Sequence, residues 1–357
     1  MKILFCAGRE IGYARNDVIL RAFQRLGEVD IVGMEQRPKS LLTSSLQISL
    51  QAVRRILSHR YDLIYVGFYG HLIMLPVGLF SRDPILFDAL LSTYDTLVED
   101  RQAASPNSLR ARAAIWLDRT ACRLAEHVLL DTPLHIDYFV SKFGLPKKRF
   151  SSLPVGCNEE IFFPKPSNID GRDFTVTYYS SYLPLHGVDV VVRAAHLLQD
   201  LPIQFRLIGS GQTYDKVRAL AESLKHVNIQ FISDLPIRQL ADEISNADIC
   251  LGGHFGATPK AGRVVPGKIY QILAMARPLI ATNTPANLQL LQHGESALLC
   301  PPDDPEALAQ MIQDLYHDPI LSNYLATEGY HLYRDECSEK KITDLVRKIA
   351  VDLCRKQ

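Results

Sequence analysis

The chain has 357 residues, of which 47% are hydrophobic, and its 39 basic and 39 acidic side chains give a formal net charge of zero. This composition is typical of a globular protein of two domains, and it excludes a disordered chain, a collagen-like fibre and a disulfide mini-protein. Nothing in the overall charge argues for wrapping nucleic acid, which needs many basic contacts. Seven scattered cysteines without a CxxC pair argue against a disulfide framework and against a structural zinc site.

The first half of the sequence alternates between apolar runs and amphipathic segments. Short apolar runs predict buried strands over residues 3–6, 29–32, 63–66, 85–87 and 127–131. Helical spacing between them predicts helices over residues 17–26, 46–57 and 109–125. The alternation predicts a βαβ domain with a parallel sheet, for which we expect residues 1–165.

The pattern restarts after a polar segment rich in helix breakers, residues 164–173, which predicts a linker. Strands are predicted over residues 174–178, 204–208, 229–232, 249–251, 279–281 and 297–299, and helices over 188–198, 215–224, 237–247, 268–276 and 305–317. We therefore expect a second βαβ domain over residues 166–325. Two Rossmann-like domains facing each other across a cleft are the simplest architecture, with a ligand site at the carboxyl ends of the strands.

A glycine-rich basic loop carries the strongest chemical signal. Residues 252–268 read GGHFGATPKAGRVVPGK, with Lys260, Arg263 and Lys268 just before a predicted helix. Because a helix N-terminus offers unpaired N–H groups and a partial positive charge, the added cations predict a phosphate or diphosphate site. A solvated basic loop is the alternative.

Two further loops follow strands and contain pairs of glycines or arginines. Gly209 and Gly211 lie in an IGSG turn, and the loop after the first strand contains Gly12 and Arg15. Ordinary βα turns explain both loops equally well. No GxxxxGK[ST], HExxH or GxSxG motif occurs.

Three other polar residues are predicted at carboxyl strand ends. His186 follows the first strand of the second domain, whereas His71 and Asp95 follow strands of the first. Each of them either faces a ligand or serves packing, and for the Asp95 loop a local ion pair between Asp100 and Arg101 is a competing explanation.

Seven segments of the chain form a recognisable set. They are VGCNEEIFFP at 155–164, SSYLPLHGVD at 180–189, LIGSGQ at 207–212, a strand at 227–233, ADI at 247–249, GHFG at 253–256 and QILAMARPLIA at 271–281. Together they resemble the nucleotide-sugar-dependent family-4 (group 1) glycosyltransferases of the GT-B fold. The resemblance covers about residues 155–320 and implies a retaining transfer of a hexose from a nucleotide sugar.

The chain departs from the family pattern at four positions. The usual basic pair of the first turn is replaced by Ser181 and His186, and the two glutamates of the signature fall on Gly253 and Gln271. The donor loop is also longer. The resemblance therefore implies that binding of the leaving diphosphate has moved onto the cations of this loop.

The resemblance also implies roles for individual residues. Lys260, Arg263 and Lys268 would stabilise the leaving group, and Asp95 and His71 would touch the acceptor or the transferred sugar. The donor-binding set is Gly12, Arg15, Ser181, His186, Gly187, Gly209, Gly211, Phe255, Gly256 and Gln271. Base contacts are expected from the backbone near residues 232–235, and the C-terminal helices at 326–357 are expected to pack back on the first domain.

The implied reaction uses a UDP- or GDP-linked sugar, a glycan or lipid-linked acceptor of cell-envelope polysaccharide biosynthesis, and neither a metal ion nor a bound cofactor. A non-catalytic nucleotide-sugar-binding or scaffold subunit is the alternative, suggested by Gly253 and Gln271, and a nucleotide-sugar epimerase is a third possibility. No nucleic-acid partner is expected.

The absence of a signal-like or spanning apolar run predicts a cytoplasmic protein. A second hypothesis is peripheral contact with the inner face of the membrane, because the predicted helix at 109–125 combines arginines with Leu109 and Trp116. A solvated helix with an inner apolar stripe is the competing explanation.

Overall fold

The computed structural model describes residues 1–36, 40–166, 173–225 and 228–355. Most of the predicted linker, residues 167–172, and Val227 of a family-like strand lie outside the described residues. The chain divides into two units, one formed by residues 1–158 together with 339–357 and the other by residues 159–338.

Unit 1 is a parallel six-stranded sheet covered by helices. Its elements, in chain order, are β1 (Lys2–Cys6), α1 (Ala14–Gln24), β2 (Glu28–Val32), α2 (Leu41–Ser58), β3 (Leu63–Val66), α3 (His71–Phe80), β4 (Ile85–Asp88), α4 (Leu109–Leu124), β5 (His127–Leu130), α5 (Pro133–Phe143) and β6 (Phe150–Ser152). The strands are ordered β2-β1-β3-β4-β5-β6, and a short π-helix spans Asp95–Asp100.

Unit 2 repeats this plan. Its elements are β7 (Phe174–Tyr179), α6 (Val188–Leu197), β8 (Ile203–Ile208), α7 (Tyr214–Ser223), β9 (Ile229–Ile232), α8 (Ile237–Ser245), β10 (Ile249–Gly253), α9 (Gly267–Ala274), β11 (Leu279–Thr282), β12 (Leu298–Cys300), α10 (Pro305–His317) and α11 (Pro319–Leu332). All neighbouring strands pair in parallel, in the order β12-β11-β10-β7-β8-β9. The last helix, α12 (Glu339–Cys354), belongs to unit 1.

Alternating strand residues build a separate core on each face of the first sheet. Leu4 and Cys6 point into the core under α2, α3, α4 and α5, whereas Ile3 and Phe5 point into the core under α1 and α12. Successive strand residues face opposite sides, so a sheet covered twice needs apolar residues at nearly every position. The predicted two-sided burial of the strands is confirmed.

The structure corrects several boundaries. Helices α3 and α5, strand β6 and the π-helix were not predicted, and α3 forms although Pro76 lies inside it. The division after residue 158 precedes the expected one after 165. Residues 326–338, expected on the first domain, belong to unit 2, where Gly329 of α11 packs tightly on Leu273 of α9.

Among the described residues, no helix is both long and apolar enough to cross a membrane. All seven cysteines are free thiols, and six of them are buried.

Candidate functional site

The carboxyl ends of three neighbouring strands of unit 2 hold most of the predicted site residues. Strand β7 continues into residues 180–187, β8 into 209–213, and β10 into the basic loop before α9. Parallel strands place these loops along one edge of the sheet, the usual ligand edge of such folds. The residues on these loops and on α9 are Ser181, His186, Gly187, Gly209, Gly211, Phe255, Gly256, Lys260, Arg263, Lys268 and Gln271.

Lys268 is the second residue of α9, and its ammonium group is buried at this edge. Its Nζ makes no hydrogen bond within the described part of the chain and lies 4.1 Å from the ring centroid of Tyr178. Burial lowers the pKa of Lys268 from 10.5 to about 7. The helix start also lacks a side-chain cap, because its N-cap residue is Pro266. A buried cation beside uncapped N–H groups is an arrangement that an anion would complete.

Two histidines stack next to this cation. The rings of His186 and His254 are 5.5 Å apart between centroids and 15° from parallel. Burial, and then the positive charge of Lys268, hold the pKa of both rings well below the ordinary value; Lys260 contributes in the same direction. Both imidazoles are therefore neutral near pH 7.

His186 is oriented by the backbone. Its Nδ1 accepts a hydrogen bond from the N–H of Leu183 at 3.3 Å, so the neutral ring carries its proton on Nε2 and can donate it to an anion. The Nδ1 of His254 is buried without a hydrogen-bond partner in the described structure. The sequence did not single out His254 as a site residue.

Glycines join the loops after β7 and β10. A Cβ on Gly187, which has φ +59°, would lie 2.4 Å from the backbone nitrogen of Gly256, and a Cβ on Gly256 would lie 2.5 Å from the carbonyl of Pro184. The N–H of Phe255 donates to the carbonyl of His186 at 3.2 Å. These contacts leave no room for a side chain at either glycine.

Phe255 itself is a core residue. Its side chain is fully buried, and its ring meets Tyr178 edge-on at 5.6 Å. It therefore positions the loop backbone, and only the backbone at Phe255 is available for the predicted donor-binding role.

The backbone of the loop after β8 packs closely against the backbone of the loop after β7. A Cβ on Gly209 would lie 2.0 Å from the carbonyl oxygen of Ser180, and one on Gly211 would lie 1.9 Å from that of Ser181. Both glycines have positive φ, +118° and +151°. Close backbone approach therefore explains this GxG, and the exposed Ser181 lies at the contact.

Gln271 lies one helical turn after Lys268 and is held by a tyrosine. Its Oε1 accepts a hydrogen bond from the hydroxyl of Tyr179 at 2.7 Å, and the Tyr179 ring is 5.5 Å from Lys268 Nζ. Tyr178 and Tyr179 were missed as site residues. The available signal was an aromatic pair at the carboxyl end of a predicted strand.

The other two loop cations are partly buried on one turn. The N–H of Arg263 donates to the carbonyl of Lys260 at 3.0 Å. The charge of Lys260 reaches the two histidines, as their lowered pKa values show. The loop is thus folded toward the site at Lys260, and Arg263 lies on the same turn.

In unit 1, Gly12 is exposed, but Arg15 is completely buried. The Arg15 guanidinium donates hydrogen bonds to both carboxylate oxygens of Asp88, at 2.7 and 3.0 Å. It also donates to the carbonyls of Leu153 and Pro154. Four of its five donors are thereby used inside the unit. This geometry disfavours the predicted donor-binding role of Arg15 and makes it a structural residue.

His71 and Asp95 share a buried polar network in unit 1. His71 begins α3, with its Nε2 3.5 Å from a carboxylate oxygen of Asp118. Asp118 also accepts from the Ser92 hydroxyl at 2.6 Å, and the N–H of Asp95 donates to that hydroxyl at 3.0 Å. Burial lowers the pKa of His71, and the Asp118 charge opposes this shift. The two predicted residues are therefore brought together at the carboxyl edge of the first sheet.

Within the described residues, no group of three or more His, Cys, Asp or Glu side chains is arranged to hold a metal ion.

The part of the chain that holds the site of unit 2 is similar to known glycosyltransferases. Residues 173–318 match the family model described as Glycosyl transferases group 1. An uncharacterised glycosyltransferase, MJ1178 of Methanocaldococcus jannaschii, is 24% identical over 209 residues, which is 58% of this chain and 55% of that protein. A putative colanic acid biosynthesis glycosyltransferase, WcaL of Escherichia coli, is 20% identical over 176 residues, 48% of this chain and 43% of that protein. Such matches span about half the length of these curated relatives.

Solved structures resemble the whole chain in fold. Anabaena HepE in complex with UDP and glucose has a TM-score of 0.73 at 15% identity and covers 98% of both chains. Sucrose-phosphate synthase from Thermosynechococcus elongatus has a TM-score of 0.78 at 15% identity, covering 100% of this chain and 99% of the other. The two parallel six-stranded sheets match these GT-B structures. The chain thus has the GT-B fold, and its residues 173–318 are similar to the group 1 glycosyltransferases.

Proposed function

We propose that the protein transfers a hexose from a nucleoside-diphosphate sugar to a glycan or lipid-linked acceptor of polysaccharide biosynthesis, with retention at the anomeric carbon and without a metal ion. The observation that carries the proposal is the buried ammonium of Lys268, which has no hydrogen-bond partner in the described structure and lies at the uncapped start of α9. A diphosphate would supply both the missing counter-charge and acceptors for the first N–H groups of the helix.

In the proposed reaction, the buried ammonium of Lys268 would stabilise the charge on the leaving group. Breaking the bond between the anomeric carbon and the phosphate oxygen leaves negative charge on the diphosphate. Lys268 would stabilise that charge most directly because its surroundings exclude water, which strengthens a charge–charge interaction. The Nε2–H of His186 adds a neutral donor, and Lys260 and Arg263 add charge from the loop.

The proposed donor is UDP-linked, with a GDP-linked sugar as the other expected series. The support is that HepE, which shares the fold, has been solved with UDP and with UDP-glucose. In unit 1, Asp95 and His71 are the proposed contacts to the acceptor or the transferred sugar, since they lie at the corresponding edge of that sheet.

A second candidate is a subunit that binds a nucleotide sugar without transferring it. It is favoured by the two positions where family members carry glutamate. At Gly253, which has φ +58°, a Cβ would lie 2.7 Å from the hydroxyl of Tyr178, and the carbonyl of Gln271 is already bound by Tyr179. The surroundings of Gly253 therefore leave no room for a glutamate at that position, and Gln271 supplies a neutral amide at the other.

Calorimetry with UDP, GDP, ADP, CDP and UDP-glucose separates these candidates from a chain with no donor site. We expect UDP and UDP-glucose to bind and Lys268→Met to lose at least about tenfold in affinity, with Lys216→Met on the exposed face of α7 as the control. Release of UDP from UDP-glucose with acceptor present, and the anomeric configuration of the product by NMR, then test transfer. Binding without release would favour the second candidate, and no binding of any nucleotide would refute both.

A further inference from the structure

Three helices lie side by side on one face of the unit 1 sheet. Helix α3 packs between α2 and α4, and all three contribute to the core on that side of the sheet. The opposite side is covered by α1 and α12. Helices α2, α3 and α4 together are called the arginine–leucine face below.

Helix α2 has an apolar stripe that points away from its core. It buries Ile48, Ala52 and Ile56 against the sheet. Four of its five exposed leucines are Leu42, Leu46, Leu50 and Leu57, with 71, 64, 66 and 68% of their surface accessible; the fifth, Leu41, is 43% accessible and lies outside this stripe. At about 100° per residue these four fall within an arc of roughly 80°. A solvated helix normally presents polar residues there, so this stripe requires an explanation.

The neighbouring helices extend the exposed apolar surface. Leu79 and Phe80 end α3, and Leu109 and Trp116 lie on α4; all four are more than half exposed. A continuous face of this kind is typical of an interaction surface.

The same face is strongly basic in a chain without net charge. Helices α2, α3 and α4 contain six arginines and one acidic residue, Asp118, which is buried. The arginines are Arg54, Arg55, Arg110, Arg112, Arg119 and Arg123. Among them, Arg55 has a described ion pair with Asp30 of β2 and lies on the side of α2 opposite the leucine stripe, so the face presents the other five.

A cavity of about 520 Å³ opens where α2 and α3 end. Its lining includes the exposed apolar residues Leu57, Leu79 and Phe80 together with Arg82 and the ion pair between Arg60 and Asp83. Apolar side chains beside the guanidinium of Arg82 suit a molecule with a hydrocarbon part and an anionic head.

We propose that the arginine–leucine face rests on the surface of an anionic lipid bilayer. The exposed leucines and Trp116 would enter the boundary between headgroups and acyl chains, and the arginines would meet the lipid phosphates. Charge also argues against a second copy of the chain as the occupant. A two-fold dimer would place the arginines of this face against the same arginines of its partner.

Flotation of the whole protein tests this proposal, and it does not depend on donor binding or transfer. We expect the protein to float with vesicles of phosphatidylcholine containing one quarter phosphatidylglycerol, and to stay unbound with pure phosphatidylcholine. Binding should weaken with salt, because exposed charges are screened beyond about 10 Å at 0.1 M ionic strength.

The variants separate the apolar and basic contributions. Leu46→Gln/Leu50→Gln/Leu57→Gln should reduce the partition coefficient at least about tenfold. Arg112→Gln/Arg119→Gln should reduce it mainly at low salt. The control is Leu197→Gln/Ile320→Gln, which removes equally exposed apolar side chains from unit 2 and should float like the unaltered protein.

Circular dichroism melting controls for folding, since all replaced side chains are exposed and Tm should change little. The proposal is overturned if the unaltered protein stays unbound at low salt. It is equally overturned if the leucine variant and the arginine variant both float as well as the unaltered protein. It is also overturned if light scattering shows a dimer that the leucine replacements dissociate, which would assign the face to a second copy.

Discussion

Replacing Lys268 by methionine is expected to stabilise the free protein while it removes donor binding. In the unfolded chain this ammonium keeps its proton to about pH 10.5, whereas burial brings the pKa in the folded protein to about 7. The unfolded chain therefore binds the proton more tightly, and the buried charge costs stability below pH 7. At about 1.36 kcal/mol per pH unit, the difference amounts to roughly 5 kcal/mol. Structural relaxation makes about 2–4 kcal/mol the expected gain for Lys268→Met.

Urea unfolding at about pH 6 and pH 9.5 measures this gain, because the cost of the charge is present below the folded pKa and disappears as pH approaches the unfolded one. The stabilisation should be largest at the lower pH and shrink at the higher pH. Lys216→Met, with the same chemical change at an exposed position, should be nearly neutral at both. If Lys268→Met destabilised the protein at low pH, the ammonium would have a counter-charge in the free protein, and the reasoning for an anion site would fail.

Three further predictions concern the same residues and their neighbours. The affinity for UDP-glucose should fall as pH rises above about 7, by up to about tenfold per pH unit, because bound diphosphate requires the Lys268 proton; calorimetry that shows no trend between pH 6 and 9 would contradict this. Gly211→Ala should destabilise unit 2 by about 2–4 kcal/mol in urea unfolding, since the new Cβ would lie 1.9 Å from the Ser181 carbonyl oxygen; an unchanged midpoint would show that the loops separate freely. Asp88→Asn should cost about 3–5 kcal/mol because it leaves the Arg15 charge buried and uncompensated, whereas UDP binding to the remaining folded protein should be unchanged.

The sequence predicted most strands at their observed positions, because both faces of each sheet are buried and the strands are therefore almost uninterrupted apolar runs. Helix α3 was missed for the same reason, since its apolar sequence lacks a polar face and contains Pro76. Helix α5 did carry signals, with Thr132 capping its start and Gly144 ending it in a left-handed conformation.

The candidate site was only partly predictable. Its cations occur in one loop and could be read directly, but Tyr178 and His254 meet Lys268 and His186 only when β7 and β10 pair. Arg15 was predicted to bind the donor, because its partner Asp88 is 73 residues away and no neighbouring residue in the sequence indicates a buried ion pair. The cations of the site were therefore predictable from the sequence. Only the fold shows that Arg15 is paired with a carboxylate and that, among the residues the structure describes, the ammonium of Lys268 is not.

The position of α12 has a consequence for how the protein is made. Ile342, Val346 and Ala350 of this helix are fully buried in the core that it shares with α1, so unit 1 needs a segment that follows unit 2 in the chain. During synthesis the segments of unit 1 leave the ribosome first, but α12, which covers one side of their sheet together with α1, follows only after residues 159–338 have been made. Unit 2 contains all of its own strands and helices and can fold while unit 1 is still open. The core between α1 and α12 is therefore completed only after all of unit 2 has been translated.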